Sequence, residues 1–530
     1  MKKYLLAIDQ GTTSCRSIIF NLQGDVIFTA QEKLGQNYPQ AGWVEQDLEI
    51  LWQTQLQTIK ACLTQVAPAE ILSIGITNQR ETIGLWDKQG KPLTPAISWQ
   101  CNRTKDSLEY ITSAELQDQV RKITGLPINP YFSASKLNWL IKNSSVDLQN
   151  KIKNGEVLAG TIDSWLLFKL TGNQNHFTDL SNASRTLLLD IRTGNWSDEL
   201  LKIFEIPKEI LPQLKPCQSN FGLTSKEILG CEIMIGAMIG DQQAALYGHG
   251  CLEPGMAELT CGTGGFLLSN IGANCGQDLN LKEGLLTSIA WQLQKDDIEE
   301  LTCLSKEKGI PKQSNSSTPT PLKGDSRIEH ESPRSSALGD CKAQNREIIY
   351  TQEASILSMG SMIEWLARLG IIDKTSDLDE LINEAKDIDD LQIMPTITGF
   401  GSPYWSLNQK AEMHGLSAGI GSGEILRATM KALAFRVKQV TSSSIHELRI
   451  GGGLSKSNFF CQYLADLLGI AIKRSQNTEA TAWGAAIMSH HEFKQEDLLS
   501  VWKAEKDFMP NIEKSQSARA AYEKWLDRFF

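Results

Sequence analysis

The sequence predicts an α/β protein of two similar domains that face each other across a cleft. Three observations carry that prediction. The chain has 530 residues, more than one hydrophobic core serves, so two large domains are expected. Apolar, β-branched runs alternate with helical patterns through the first half. One pattern, an apolar strand, a Gly/Thr tip and a second apolar strand, opens each half: "LLAIDQGTTSCRSIIFN" from Leu5 and "AELTCGTGGFLLSN" from Ala257. Such a recurrence is the mark of an internal repeat.

The elements follow in order. Leu5–Ile8 and Arg16–Phe20 read as strands, with Thr12, Thr13 and Ser14 gathered beside Gly11 at the tip between them. A hairpin turn accounts for the glycine. Three successive hydroxyl residues exceed what a turn needs, and a loop tip rich in N–H and hydroxyl groups can cradle an oxyanion. Two such tips, one from each wall of a cleft, would clamp a polyphosphate. Asp47 is a helix N-cap, with Trp52, Leu56, Ile59, Leu63 and Val66 on one helical face. Ile71–Thr77 is a buried strand that leads into the polar loop "NQRET". "EVLAGTIDSWLLFKLTG" reads as a helix closed by Gly172. A strand near Ile233–Ile239 runs into "GDQQAALYG". Residues 295–345 are rich in Ser, Pro, Thr and charge, and read as a disordered, low-complexity insertion. Helical patterning is expected to resume in "REIIYTQEASILSMGSMIEWLARLG", with Ile356, Met359, Ile363 and Leu366 on one face.

Composition narrows the function. A net charge of −10 argues against a nucleic-acid partner or an anionic membrane surface. No uninterrupted apolar run is long enough to insert in a membrane, and Asp9 interrupts the first one, so a cytoplasmic protein is expected. Eleven cysteines with no CxxC pair, and seven dispersed histidines, fit reduced, buried thiols and no structural metal. His490 and His491 are adjacent, which on a helix points them apart. A P-loop is absent, since Gly90-Lys91 runs into Pro92, and there is no HRD or DFG pattern. "GFGSPYW" lacks the third glycine of a dinucleotide fingerprint.

A different set of segments is present, in this order: "DQGTTSCR", "GITNQRET", "SWQCNRT", "NPYFSASKLNWL", "GTIDSWLLFKLTG", "SNASRT", "GDQQAALYG", "CGTGGF", "GLLTSIAW", "GFGSPYW" and "RIGGGLSKSNFFCQYLADLLG". Together they resemble the FGGY carbohydrate kinases, and most of all the members that phosphorylate glycerol. The resemblance runs from the N-terminus to about residue 490, the insertion excepted. It implies two actin-like (ribonuclease H-like) ATPase domains facing each other across a catalytic cleft. It also implies ATP as co-substrate, Mg²⁺, glycerol or a similar polyol as acceptor, and a homodimer or homotetramer. On this pattern residues 1–249 form the acceptor-binding domain with the first phosphate hairpin. Residues 255–490 form the nucleotide-binding domain that contains the insertion, and 491–530 a C-terminal helical tail.

Phosphoryl transfer asks a protein for positioning and for relief of negative charge. Thr12, Thr13, Ser14 and Arg16 would hold phosphates from the first hairpin, and Thr263 from the second. Asp9, with Asp241, would hold Mg²⁺, which favours a few carboxylates and retained water; the alternative for Asp9 is a turn carboxylate. Asp241 sits where a strand gives way to a helix and would accept the proton of the attacking hydroxyl as general base. Its alternative is an ordinary helix N-cap. The resemblance assigns the acceptor to Arg80, Glu81, Tyr131, Asp241 and Gln242, with Trp99 and Phe266 as apolar walls. Adjacent Arg80 and Glu81 would otherwise be a solvated surface pair. Gly360 and Gly453 match glycines that border the nucleotide.

Three departures stand out. Glu364 occupies a position near the nucleotide where the family often has Gln. The asparagine expected near adenine falls on Ser457 or Asn458. Some bacterial members bind fructose 1,6-bisphosphate through a Gly-rich loop with an arginine; here the loop is "SKEILGCEIM", with Glu232 in place of cationic character. Two rival readings remain: an FGGY kinase for another polyol or a ketose sugar, and a catalytically weak ATP-binding regulator that kept the fold.

Overall fold

The computed structural model describes residues 2–111, 113–273, 284–293, 347–406, 408–493 and 495–530. Two mixed sheets repeat one plan. In the first, β1 (Tyr4–Gln10), β2 (Ser14–Asn21) and β3 (Val26–Lys33) are antiparallel, and β4 (Ile71–Asn78) and β5 (Ile235–Gly240) add in parallel on the other side of β1. The strand order is β5-β4-β1-β2-β3. The second sheet contains β6 (Met256–Cys261), β7 (Gly265–Gly272), β8 (Leu286–Gln292), β9 (Ile348–Ile356), β10 (Glu447–Gly452), β11 (Ala471–Ser475) and β12 (Ala504–Phe508). Its order is β8-β9-β7-β6-β10-β11-β12. Here β6, β7 and β9 repeat the antiparallel trio, and β10 and β11 repeat the parallel pair. The two Gly/Thr tips seen in the sequence therefore occupy equivalent places, at the β1–β2 and β6–β7 turns.

Helix α1 (Leu48–Gln65) starts where Asp47 accepts from the amides of Glu49 and Ile50. Its buried face carries Leu48, Leu51, Trp52, Gln55, Thr58, Ile59 and Cys62, while Leu56 and Leu63 are half-buried at its edge. The expected stripe is rotated because Gln55 and Thr58 face inward to bond Ser17 and the Arg16 carbonyl. The segment expected to be one helix up to Gly172 divides. Val157–Thr161 is a strand paired with Ile83–Asp87, and only α2 (Ile162–Leu170) is helical. Helix α3 (Asp241–Gly248) follows β5 without a loop.

A second expected helix also divides. Ile348–Ile356 is strand β9, and α4 (Gly360–Arg368) buries Met362, Ile363 and Leu366. The β-branched and aromatic run there favours a pleated segment, and β7 and β8 flank it on both edges. Further on lie α5 (Asn458–Leu468), α6 (Ala480–Met488) and α7 (Ile512–Phe529). His490 and His491 fall beyond the end of α6, so helical geometry does not orient them. Residues 491–530 are not wholly helical, because Ala504–Phe508 joins the second sheet as β12.

The sheets share a core built around α3 and α6. Leu5, Ala7, Ile18 and Phe20 pack from the first sheet, Met256 and Leu268 from the second, with Ala244, Leu246, Ala482 and Trp483 between them. The two helices touch backbone to backbone: a Cβ at Gly248 would lie 2.0 Å from the Ala480 carbonyl, and one at Gly484 2.0 Å from that of Ala244. Only glycine permits that approach at both points.

The insertion expected at residues 295–345 lies outside the described residues. Its flanks are neighbours, since Gln292 of β8 pairs with Ile348 of β9. The eight described cysteines are all free and seven are buried. Among the described residues, no helix is long and apolar enough to cross a membrane.

Candidate active site

The first hairpin tip is held from several sides. The Gly11 amide donates to the Ser14 carbonyl at 3.0 Å, closing the turn. Gln46 and Gln79 donate to the carbonyls of Thr12 and Gly11, and the Trp99 indole donates to the Thr12 hydroxyl at 3.0 Å. Thr13 is exposed at the tip. Asp9 and Arg16 are cross-strand partners, and their side chains form an ion pair. Arg16 also pairs with Glu479, the residue that precedes α6. The cation expected behind the phosphates is thus fixed between two carboxylates, and sequence reasoning did not single out the second.

The second tip sits on the start of α4. Met359 and Ser361 donate to the Thr263 carbonyl, and Gly360 donates to that of Gly262 at 2.9 Å. A Cβ at residue 360 would stand 2.6 Å from the Gly262 oxygen, so glycine is required for this contact. Glu364 lies one turn along α4 and is exposed. Gly453 opens the short turn after β10 and is exposed too. Of the two candidates for the adenine contact, the Ser457 hydroxyl caps α5 through the Phe460 amide and bonds Asp379. The Asn458 amide oxygen accepts from Arg474 and Lys506.

Arg80 and Glu81 are no surface pair. They are 3% and 2% exposed, in the turn that follows β4. Arg80 Nε lies 3.0 Å from Asp241 Oδ1. Its two terminal nitrogens reach Glu353 of β9 at 2.6 and 3.1 Å, and Nη1 also donates to Gln243 at 3.0 Å. Glu81 has φ of 64°, a left-handed conformation uncommon outside glycine, and Arg185 Nε donates to its carboxylate at 2.6 Å. Gly240 leaves room for Arg80, whose Cδ would be 2.7 Å from a Cβ there.

Asp241 is the first residue of α3, and Gly240 holds the capping position, so the N-cap alternative does not describe it. Burial pushes the Asp241 carboxyl up to about 6, with Arg80 opposing and Glu81 and Asp9 adding to the rise. Its side chain keeps 28% exposure while Arg80 keeps 2%, so the carboxylate is the open end of the pair. Gln242 donates its amide to Asp241, and its buried Oε1 has no partner among the described residues.

Trp99 and Tyr131 meet edge to face at 5.6 Å between ring centres. The backbone that carries Tyr131 is gathered by the buried Lys136 ammonium, which donates to the carbonyls of Pro130, Tyr131 and Phe132. Phe266 comes from the other sheet. Its register partners are Thr260 and Ser355, which puts it on the same face as Glu258 and Glu353. Burial raises the Glu258 carboxyl well above its usual range, although the Thr260 hydroxyl donates to it. Burial alone would raise Glu353 as well, but Arg185 and Arg80 hold it below the usual carboxylate range.

Arg185 and Glu353 were not singled out in the sequence. Arg185 lies within the quoted "SNASRT", but Glu353 lies in a stretch read as helix, where nothing marked it as facing Arg80. The chemistry of the donor set fits Mg²⁺. Asp9 and Asp241 are hard oxygen donors close enough for the charge of one to raise the pKa of the other. Among the described residues no group of three His, Cys, Asp or Glu side chains could hold a metal. Mg²⁺ bound through one or two carboxylates and substrate phosphates needs no third protein ligand.

Residues 4–248 match the N-terminal domain of the FGGY family of carbohydrate kinases, and residues 337–492 match its C-terminal domain. The chain belongs to this family. Within the FGGY family it is 36% identical over 533 residues to a glycerol kinase of Citrifermentans bemidjiense, spanning 97% of this chain and 96% of that protein. It is also 36% identical to a glycerol kinase of Thermococcus gammatolerans, over 99% of this chain and 97% of that one. Among solved structures, Plasmodium falciparum glycerol kinase with ADP superposes with a TM-score of 0.83 at 28% identity, covering 99% of this chain and 98% of that chain. A xylulose kinase from Lactobacillus acidophilus superposes at 0.80 with 18% identity over 99% and 97% of the two chains, a likeness of fold.

Proposed function

We propose that this FGGY chain is a glycerol kinase: it transfers the γ-phosphoryl group of ATP to glycerol, giving glycerol 3-phosphate and ADP. The observation that carries the reading is the Asp241 carboxylate. It stands 3.0 Å from Arg80, is the open end of a buried ion pair, and has a pKa pushed up to about 6. A carboxylate of that basicity is ionised at neutral pH and remains able to accept a proton. The named relatives support glycerol as the acceptor and ATP as the donor.

The acceptor lies against Arg80, Glu81, Tyr131, Asp241 and Gln242, with Trp99 and Phe266 along its carbon chain. Asp241 takes the proton of the attacking hydroxyl. The oxygen bonds to the γ-phosphorus as the bond to the β–γ bridging oxygen breaks, and ADP leaves with that electron pair. Thr12, Thr13 and Ser14 hold phosphates from one hairpin and Thr263 from the other. Gly360, Gly453 and the Glu364 region border the nucleoside. On this reading residues 1–249 supply most of the acceptor site and the first phosphate hairpin, and residues 255–490 supply the second hairpin, the nucleoside border and the Phe266 wall. Asp9 and Asp241 would hold Mg²⁺, which neutralises charge on the phosphates when bound. A soluble, cytoplasmic enzyme is the setting this reading implies.

ATP-dependent turnover of glycerol, xylulose and gluconate by the purified protein tests the reading. Preferred use of glycerol supports it. Preference for the ketose or the acid assigns a different FGGY substrate, and ATP binding without turnover of any acceptor favours the regulator.

A further inference from the structure

The acceptor carboxylates Glu81 and Asp241 are the two ends of one buried ionic chain. Glu81 bonds Arg185 Nε at 2.6 Å, and Arg185 Nη2 reaches Glu353 at 3.3 Å. Glu353 grips both terminal nitrogens of Arg80, and Arg80 Nε reaches Asp241. Arg185 and Glu353 are both 0% exposed. The middle link belongs to the second sheet, whereas the other four residues belong to the first half of the chain.

Burying charges costs solvation that mutual attraction only partly returns, so a well-packed apolar residue would stabilise such a place as well or better. What the ions provide and an apolar residue cannot is direction. A guanidinium held by a two-point grip from Glu353 has its plane and its Nε fixed. Glu81, in an uncommon backbone conformation, has its carboxylate turned by Arg185 and its carbonyl held by the Ser133 hydroxyl at 2.8 Å. Both acceptor side chains are therefore set by groups that lie behind the pocket.

We infer that Glu353, acting with Arg185, is a positioning residue for the acceptor: it reaches across from the second sheet to aim Arg80 and Glu81, so that acceptor affinity depends on the two sheets being docked. The inference rests on the proposed function and names residues to which that reading gave no role.

Steady-state kinetics on the full chain test it. In Glu353→Gln the shape is kept and the charge removed, and the acceptor KM is expected to rise about tenfold to a hundredfold, with the ATP KM within about twofold. Glu353→Asp, which keeps the charge, should recover part of that loss. A purely structural role would lower the active fraction, and so kcat, and leave both KM values in place. Should Glu353→Gln fail to fold, Arg185→Lys carries the test: it keeps the charge, loses the fork, and should raise the acceptor KM alone. Wild-type turnover with an unchanged acceptor KM in the variants that fold overturns the inference only. Wild-type protein that phosphorylates no acceptor overturns the proposed function, and this inference with it.

Discussion

Arg80 Nε stands 3.0 Å from Asp241 Oδ1, while the opposite edge of the same guanidinium is bound by Glu353. One buried cation thus joins the candidate base to a carboxylate of the other sheet. It is attractive enough to keep Asp241 ionised at neutral pH, yet burial dominates and leaves the carboxyl basic, at about 6. Three consequences are measurable, and a fourth prediction concerns the opposite wall.

Asp241→Asn keeps the size and removes the proton acceptor. Phosphoryl transfer should fall about 10²- to 10⁴-fold, the range for loss of a general base. ATP binding, followed by calorimetry, should be largely retained. Near-normal turnover would remove Asp241 from the mechanism.

The pH profile follows from the same group. A base must be unprotonated, so kcat/KM should be full well above pH 6 and fall on the acid side of a limb near the pKa of about 6. Arg80 lowers that pKa and Glu81 raises it. The limb should therefore move to higher pH in Arg80→Ala and to lower pH in Glu81→Gln. Immobility of the limb in both variants would mean that another group titrates.

On the proposed assignment Arg80 contacts the acceptor and not the phosphates, so Arg80→Ala should weaken glycerol far more than ATP. It also leaves Glu353 with Arg185 as its one cation partner, and removal of one member of a buried pair costs about 3 kcal/mol or more. A lower Tm should accompany the higher acceptor KM. Loss of ATP affinity with unchanged glycerol saturation would contradict the assignment.

Gly360→Ala probes the opposite wall. Its Cβ would meet the Gly262 carbonyl at 2.6 Å, so the second tip must shift away from α4. The ATP KM should rise while the acceptor KM changes little. An unaltered ATP KM would place the nucleotide elsewhere.

The sequence was most informative where one short segment holds the whole signal. The two Gly/Thr tips, the Asp47 cap and the strand before "NQRET" are local, and all appear where expected. Elements went astray where a partner strand decides the structure. Val157–Thr161 and Ile348–Ile356 carry enough apolar residues to fit a helical period, and only Ile83–Asp87, β7 and β8 make them strands. The same limit hid the site's ionic chain. Arg80 and Glu353 are 273 residues apart, and the motif that marks Arg80 as a candidate carries no sign of its counter-ion. Arg16 shows this too, since its partner Glu479 is 463 residues away.

Replacing residues 295–345 with a short Gly/Ser turn should preserve fold and activity. Gln292 and Ile348 are paired neighbours on antiparallel strands, so a short connection can close the hairpin. Every residue assigned to phosphate, Mg²⁺ or acceptor lies outside the replaced stretch. Circular dichroism and turnover of the shortened chain check this, and collapse of either would show that the segment is needed.

The most direct test of the central claim is phosphorus NMR of the purified protein with ATP, Mg²⁺ and glycerol, beside its Asp241→Asn variant. Glycerol 3-phosphate and ADP resonances should grow together in the wild type, and at least about 10²-fold more slowly in the variant. ATP that persists beside glycerol in the wild type, or equal product growth in the two proteins, would contradict it.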